Sequence, residues 1–260
     1  MSTSSQCQSV VKYPPAYDFA LFKGSPVQEL AKAVEKDDSA MIISALKLEK
    51  NSINYQDSKY GSSLLLLSVV NYKPTSTRLL LKFGADPNLR SQDDNSTPFL
   101  TACRYGVNTN YQYNAQRWQD MFVLLLDHGA NVNDSSTTVQ TNDGVTHDTV
   151  TTTALEYLVR FLPVNVIKLM LAKGARLDIY PRNGTRSILF TSSYNLPVLR
   201  YLLEEKKVPI PEYAVIRQEG TANERKLTLR ELLVEENPTI RPEEQSLLRE
   251  IEDFLAAHGG

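Results

Sequence analysis

Two cysteines, Cys7 and Cys103, are all that the 260-residue chain contains. That number excludes a framework of several disulfides, and their separation excludes a CxxC metal or redox site. Histidine is nearly as scarce, with His128, His147 and His258 the full set. None forms an HxxxH pair. The GxSxG, phosphate-loop and calcium-loop spacings are missing too, so no familiar catalytic or metal motif is present. Cys103 follows Ala102 inside an apolar segment, where a small buried thiol is far commoner than a nucleophile. The chain is accordingly expected to be non-enzymatic, with no cofactor and no metal. Charge of one sign is also lacking: 28 Lys and Arg face 30 Asp and Glu. That balance gives no electrostatic footprint for nucleic acid.

No apolar run reaches the length of a membrane-spanning helix, and MSTSSQ has neither the basic start nor the apolar core of a secretory signal. The chain as written is expected to be cytoplasmic. Cys7 leaves one alternative open, because CQSVVKYPPAYD is a polar, proline-containing lead-in like that following the lipidated cysteine of bacterial lipoproteins. On that reading the protein is a periplasmic lipoprotein whose signal has been removed, and Cys7 is its one route to a membrane. The rest of the composition, 42% hydrophobic and 22% charged, is that of a soluble protein with a sizeable core.

What the sequence does contain is internal periodicity. LLLKFGADPNLR at 79–90 is echoed by LLLDHGANVN and again by LMLAKGARLD. Aligning the turn residues Asn54, Asn88, Asn133 and Asp178 gives spacings of 34, 45 and 45. Each unit is a polar turn, a first apolar segment, and a leucine-rich second segment closed by glycine. In STPFLTACRYG, Thr97 is placed to cap a helix, Pro98 suits its first turn, and Phe99 and Ala102 share a face. Gly106 is expected to end that helix in a left-handed conformation.

These residues resemble the ankyrin repeat. Its T-P-L-H-x-A, V-x-L-L-L and G-A-D-V-N landmarks are matched by Thr97 to Ala102, Val123 to Leu126 and Gly129 to Asn133, and GADPN at 84–88 is the best single match. The resemblance implies an all-α repeat solenoid, an ankyrin-repeat stack of helix pairs with β-hairpin fingers. It covers residues 25–210, about five units, preceded by a lead-in at 1–24 and followed at 211–260 by a divergent capping repeat of two amphipathic helices. The end units lack the glycine turn, with KNSIN at 50–54 and KKVPI at 206–210 in its place, as suits repeats that exchange a neighbour for water.

Two segments depart from the pattern. VNTNYQYNAQRW is inserted between the helices of the third unit, carrying Tyr111, Tyr113, Arg117 and Trp118, the sole tryptophan. Either it folds back on the stack or it presents aromatic and arginine contacts of the kind enriched at hot spots. Between the third and fourth units, SSTTVQTNDGVTHDTVTTT around Asn142-Asp143-Gly144 is a lengthened finger by its hairpin signal, or else a solvated loop.

The family's usual role, holding another protein on a concave surface, is fold-level analogy. It implies finger contacts at Tyr55, Tyr60, Arg90, Asp93, Asp94, Asp143, His147, Tyr180 and Arg182. Inner-surface contacts would be Tyr72, Arg104, Tyr105, Arg160, Phe161 and Tyr194. Irregular repeats, insertions and the lead-in loosely resemble bacterial ankyrin-type immunity proteins. On that reading the partner is a toxic effector, in its most specific form a secreted phospholipase, and the chain is a monomer outside the complex. The alternative is a cytosolic ankyrin adaptor or regulator, and an enzyme with a cryptic site is the rival class.

Overall fold

In a computed structural model, the leucine run at 64–67 opens a helix because extended Ser63 accepts a hydrogen bond from the Leu66 amide at 3.1 Å. The structure describes residues 15–48, 52–106, 115–142, 146–177, 187–213, 215–217, 225–236 and 242–258, and structural statements concern those. The chain divides into two units, Met1–Pro98 and Phe99–Gly260.

The first unit starts with short 3-10 turns at Pro15–Tyr17 and Phe19–Phe22. Helices α1 (Gln28–Glu35), α2 (Ser39–Leu48), α3 (Leu64–Val70) and α4 (Pro74–Lys82) follow. Helix α1 packs on α2 and α3 on α4, while α1 also meets α3 and α2 meets α4. Successive pairs therefore stack first helix on first and second on second, the only way such short helices bury their apolar faces. Leu30, Ile42, Leu46, Leu64 to Leu67 and Leu80 are sealed from solvent. Truncating one of them to alanine is expected to cost about 2–5 kcal/mol.

The second unit carries α5, which begins at the boundary (Pro98–Gly106), then α6 (Ala115–Asp127). Strands β1 (Ser135–Asn142) and β2 (Thr146–Thr153) pair antiparallel from Ser135↔Thr153 to Asn142↔Thr146. Helices α7 (Ala154–Val159) and α8 (Val164–Ala172) come next. Helix α9 (Ile188–Thr191) runs into a 3-10 turn at Ser192–Tyr194, and α10 (Leu196–Arg200) widens into a π-helical turn at Tyr201–Glu205. A short antiparallel pair, β3 (Val215–Arg217) and β4 (Arg225–Leu227), precedes α11 (Leu229–Glu236) and α12 (Gln245–His258). The alternating contacts recur here: α7 on α9 and α9 on α11, α8 on α10 and α10 on α12. The fold is thus a mostly helical repeat, with twelve α-helices among the described residues.

One closing motif ends three of the second helices. Gly84, Gly129 and Gly174 have φ of 96, 87 and 91°. Each amide bonds three residues back, to Leu81, Leu126 and Leu171, while Ala85, Ala130 and Ala175 bond five back, to Leu80, Leu125 and Met170. That pair of bonds satisfies carbonyls that a helix end would otherwise orphan, and the left-handed residue between them favours glycine. The turn asparagines then tie one repeat to the next: Asn54 accepts from the Asp86 amide at 2.8 Å, and Asn133 from the Arg176 amide at 2.8 Å.

Non-glycine residues take the left-handed position elsewhere. Asp37 (φ 54°) closes α1, and its carboxylate accepts from the Ser76 amide at 2.7 Å and hydroxyl at 2.6 Å, capping α4. Tyr72 (φ 48°) closes α3 and Lys207 (φ 51°) follows the π-helical turn. The insert, read as lying between the two helices of the third unit, overlaps the second of them. Its last residues are helical, so α6 starts at Ala115, and residues 107–114 lie outside the described set.

Candidate functional site

A solvent-facing cluster of one cation and two rings sits where α7 and α9 end, side by side. Thr153 starts α7 with a capping box, its hydroxyl accepting from the Glu156 amide at 3.2 Å while Glu156 accepts from the Thr153 amide at 2.7 Å. Seven residues on comes Arg160, the C-cap of α7; seven residues beyond Ser187, the N-cap of α9, comes Tyr194. Equal register on two packed helices brings them together. The Arg160 guanidinium lies over the Tyr194 ring at 4.4 Å and over its neighbour Phe161 at 5.8 Å.

All three face water. Phe161 is 46% exposed and Tyr194 42%, among the largest apolar exposures described, and Arg160 is exposed as well. The framework beneath them is fixed. Asn195 donates from Nδ2 to the carbonyls of Val159 (3.0 Å) and Leu162 (2.9 Å), clamping the turn that carries Arg160 and Phe161 to the turn that carries Tyr194. Leu158, Val159, Leu162, Leu189 and Leu196 are buried below. An arginine lying against a ring on a clamped backbone loses little freedom on binding, which is what favours anchors of this type.

The other inner-surface candidates have different surroundings. Arg104 and Tyr105 hold the same register on α5 and are half-buried, each engaged in further contacts. Tyr72, half-buried, serves the closing turn of α3. Trp118 is 9% exposed and packs on Phe122 with ring centroids 6.5 Å apart, so of the two readings of that ring the core one describes it. Its burial follows from the earlier start of α6, which turns it inward on the same face as Phe122 and Leu125.

Among the finger residues, Asp94 is occupied by its own turn. It accepts from the Ser91 hydroxyl at 2.6 Å, the Ser96 amide at 3.2 Å and the Tyr17 hydroxyl at 3.3 Å. Arg90 donates to the Asn95 carbonyl at 2.5 Å, and Asp93, exposed, donates its amide to Tyr60. Tyr55 packs edge-on against Phe22, and Lys59 lies over Tyr60. Tyr111, Tyr113, Asp143, Tyr180 and Arg182 lie outside the described residues, as do the side chains of Arg117 and His147, which sit on α6 and β2. Asp57 was not singled out by the sequence. Buried to 3%, it accepts from the amides of Lys59, Tyr60 and Ser62 at 2.9, 2.8 and 2.6 Å and shapes the first turn. The signal for it was an aspartate just ahead of Gly61.

Cys103 is fully buried, and that burial, with the Asp134 carboxylate second, pushes its thiol well above the usual range. A thiolate nucleophile is therefore not available there. Among the described residues no cluster of His, Cys, Asp and Glu is placed to hold a metal ion, and no helix is long and apolar enough to cross a membrane.

No family model matches the chain. Over 78 residues, 30% of its length, it is 41% identical to Ankyrin repeat and SOCS box protein 2 of Homo sapiens, and to the same extent to the Mus musculus protein of that name. The match spans about a tenth of those curated relatives, 10% of each. The segment similarity, the glycine-closed leucine ridges and the alternating helix contacts together support an ankyrin-repeat assignment for this mostly helical chain.

Proposed function

We propose that the chain is a non-enzymatic protein-binding scaffold whose contact surface includes Arg160, Phe161 and Tyr194. The observation that carries this reading is their joint exposure on a backbone clamped by Asn195, where two aromatic rings face solvent around a guanidinium. The similarity to an ankyrin repeat protein supports the same role, because repeat stacks of that kind commonly present such surfaces. The full architecture in this reading is a solenoid of residues 25–210 with hairpin fingers, a lead-in at 1–24 and a divergent cap at 211–260.

The finer proposal is an immunity protein that binds and neutralises a toxic effector enzyme, of which a secreted phospholipase is the most specific case. Irregular repeats, the long β1–β2 ribbon and the Cys7 lead-in support it. The match to Ankyrin repeat and SOCS box protein 2 equally favours a cytosolic adaptor or regulator. Compartment divides the same way, cytoplasmic for the adaptor and a Cys7-anchored periplasmic form for the immunity protein.

Quantitative affinity capture with the wild-type chain and an Arg160→Ala, Phe161→Ala, Tyr194→Ala triple variant tests the scaffold reading. A protein held by the wild type and lost from a folded triple variant is the expected result. Equal capture by both would sink the assignment of this surface. Growth rescue on co-expression with a toxic lipase encoded beside the gene separates immunity from adaptor.

A further inference from the structure

We infer that the occupant of the Arg160 surface is an acidic segment of the partner protein, with a carboxylate on the guanidinium and an apolar side chain against Phe161 and Tyr194. This rests on the protein-binding reading and gives its partner a chemistry. In the same unit, Arg200 pairs with Glu204 and Glu250, Lys168 with Glu205, Lys173 with Asp127, and Arg225 with Glu235. Arg160 is held differently. Among the described residues no carboxylate pairs with it, and its neighbours are the two rings.

A guanidinium lying over an aromatic face keeps its in-plane N–H donors for a planar, bidentate acceptor, and a carboxylate fits that fork. Two rings beside the guanidinium reduce the water around such a pair, which strengthens it relative to an ion pair in open solvent. The row on which Arg160 sits extends the same logic. The seventh residue beyond Thr97, Thr153, Ser187 and Thr228 is Arg104, Arg160, Tyr194 and Glu235 in turn. Arg160 precedes a ring, and the acid at the end of the row is neutralised by Arg225. The lining is therefore cationic and aromatic, complementary to a run of Asp or Glu interrupted by Leu, Phe or Met.

Selection of a random peptide library displayed on phage against the purified full chain tests this, with recovered clones titrated on wild type, R160Q, R160K, F161A and Y194A. Circular dichroism and melting establish that each variant is folded. The expected result is clones rich in Asp and Glu beside large apolar residues, weakened about tenfold or more by R160Q, less by R160K, and further by raised salt. Clones sensitive to F161A and Y194A but indifferent to R160Q and not enriched in acids would overturn the acidic occupant while leaving the protein-binding surface standing. Clones indifferent to all four variants would overturn both. A twelve-nucleotide oligouridine that binds in an R160Q-sensitive way, with no acidic peptides recovered, would overturn the inference in favour of nucleic acid.

Discussion

A glycine after one second helix and a lysine in the same left-handed conformation after the next make a reciprocal test of the closing turn. Gly174 has φ 91°, and a Cβ built on it meets no atom within 4 Å. Gly174→Ala therefore costs backbone strain alone, about 1–2 kcal/mol for an L-residue in the left-handed region. Reduced unfolded-state entropy offsets about 0.4–1 kcal/mol of that, leaving a net loss of roughly 1 kcal/mol. Lys207 has φ 51° and an exposed side chain, so Lys207→Gly removes comparable strain and should stabilise by about 0.5–1 kcal/mol. Urea titrations read both, because Trp118, the sole tryptophan, is buried in the same unit and its fluorescence reports that unit's unfolding. Were the two positions ordinary negative-φ backbone, the signs would reverse, with alanine stabilising and glycine destabilising. That reversal would refute the left-handed closing turn at both positions.

Asn195→Ala removes two donations to the Val159 and Leu162 carbonyls and should cost about 1–3 kcal/mol in urea titrations while loosening partner binding; unchanged stability would mean the clamp is not formed. Shortening β1–β2 to a standard turn between Asp134 and Thr153, with the capping box kept, should leave helical circular dichroism and melting nearly intact, since a two-stranded ribbon adds little stability of its own. A fall in melting of ten degrees or more would show the ribbon to be part of the core, about 2.5–5 kcal/mol for a unit of this size. In a Cys7→Ser background, Cys103 should resist a thiol reagent such as DTNB at pH 8 until the protein unfolds, because burial raises its thiol and bars access. Rapid labelling of folded protein would contradict that burial.

The parts of the fold that a sequence makes plain are those where chemistry leaves one residue type. Gly84, Gly129 and Gly174 recur because three left-handed turns favour glycine, and the leucines before them recur because each repeat must cover its neighbour. Asp37, Tyr72 and Lys207 occupy the same backbone conformation with no such announcement. Asp37 is retained by bonds to Ser76 that lie 39 positions away, invisible to any local pattern. Trp118 was ambiguous because its side depends on where α6 begins, and the inserted segment that ends at Trp118 overlaps that start. Arg160 and Tyr194 are readable singly from the sequence as inner-surface candidates, and both are exposed. Their contact follows only from the repeat register, which places the seventh residue of α7 beside that of α9, and the Asn195 clamp could be seen only once both turns were folded.

Placing the photo-crosslinking residue p-benzoylphenylalanine at position 161 in cells that express the protein tests the central claim most directly. Lys82, exposed at the end of α4, is the control position. The account predicts one dominant covalent adduct at 161, absent at 82 and suppressed by R160Q, with the crosslinked partner peptide rich in Asp and Glu. Adducts at 82 as strong as those at 161, or none at 161 in cells where the partner is captured by affinity, would place the contact elsewhere and contradict it.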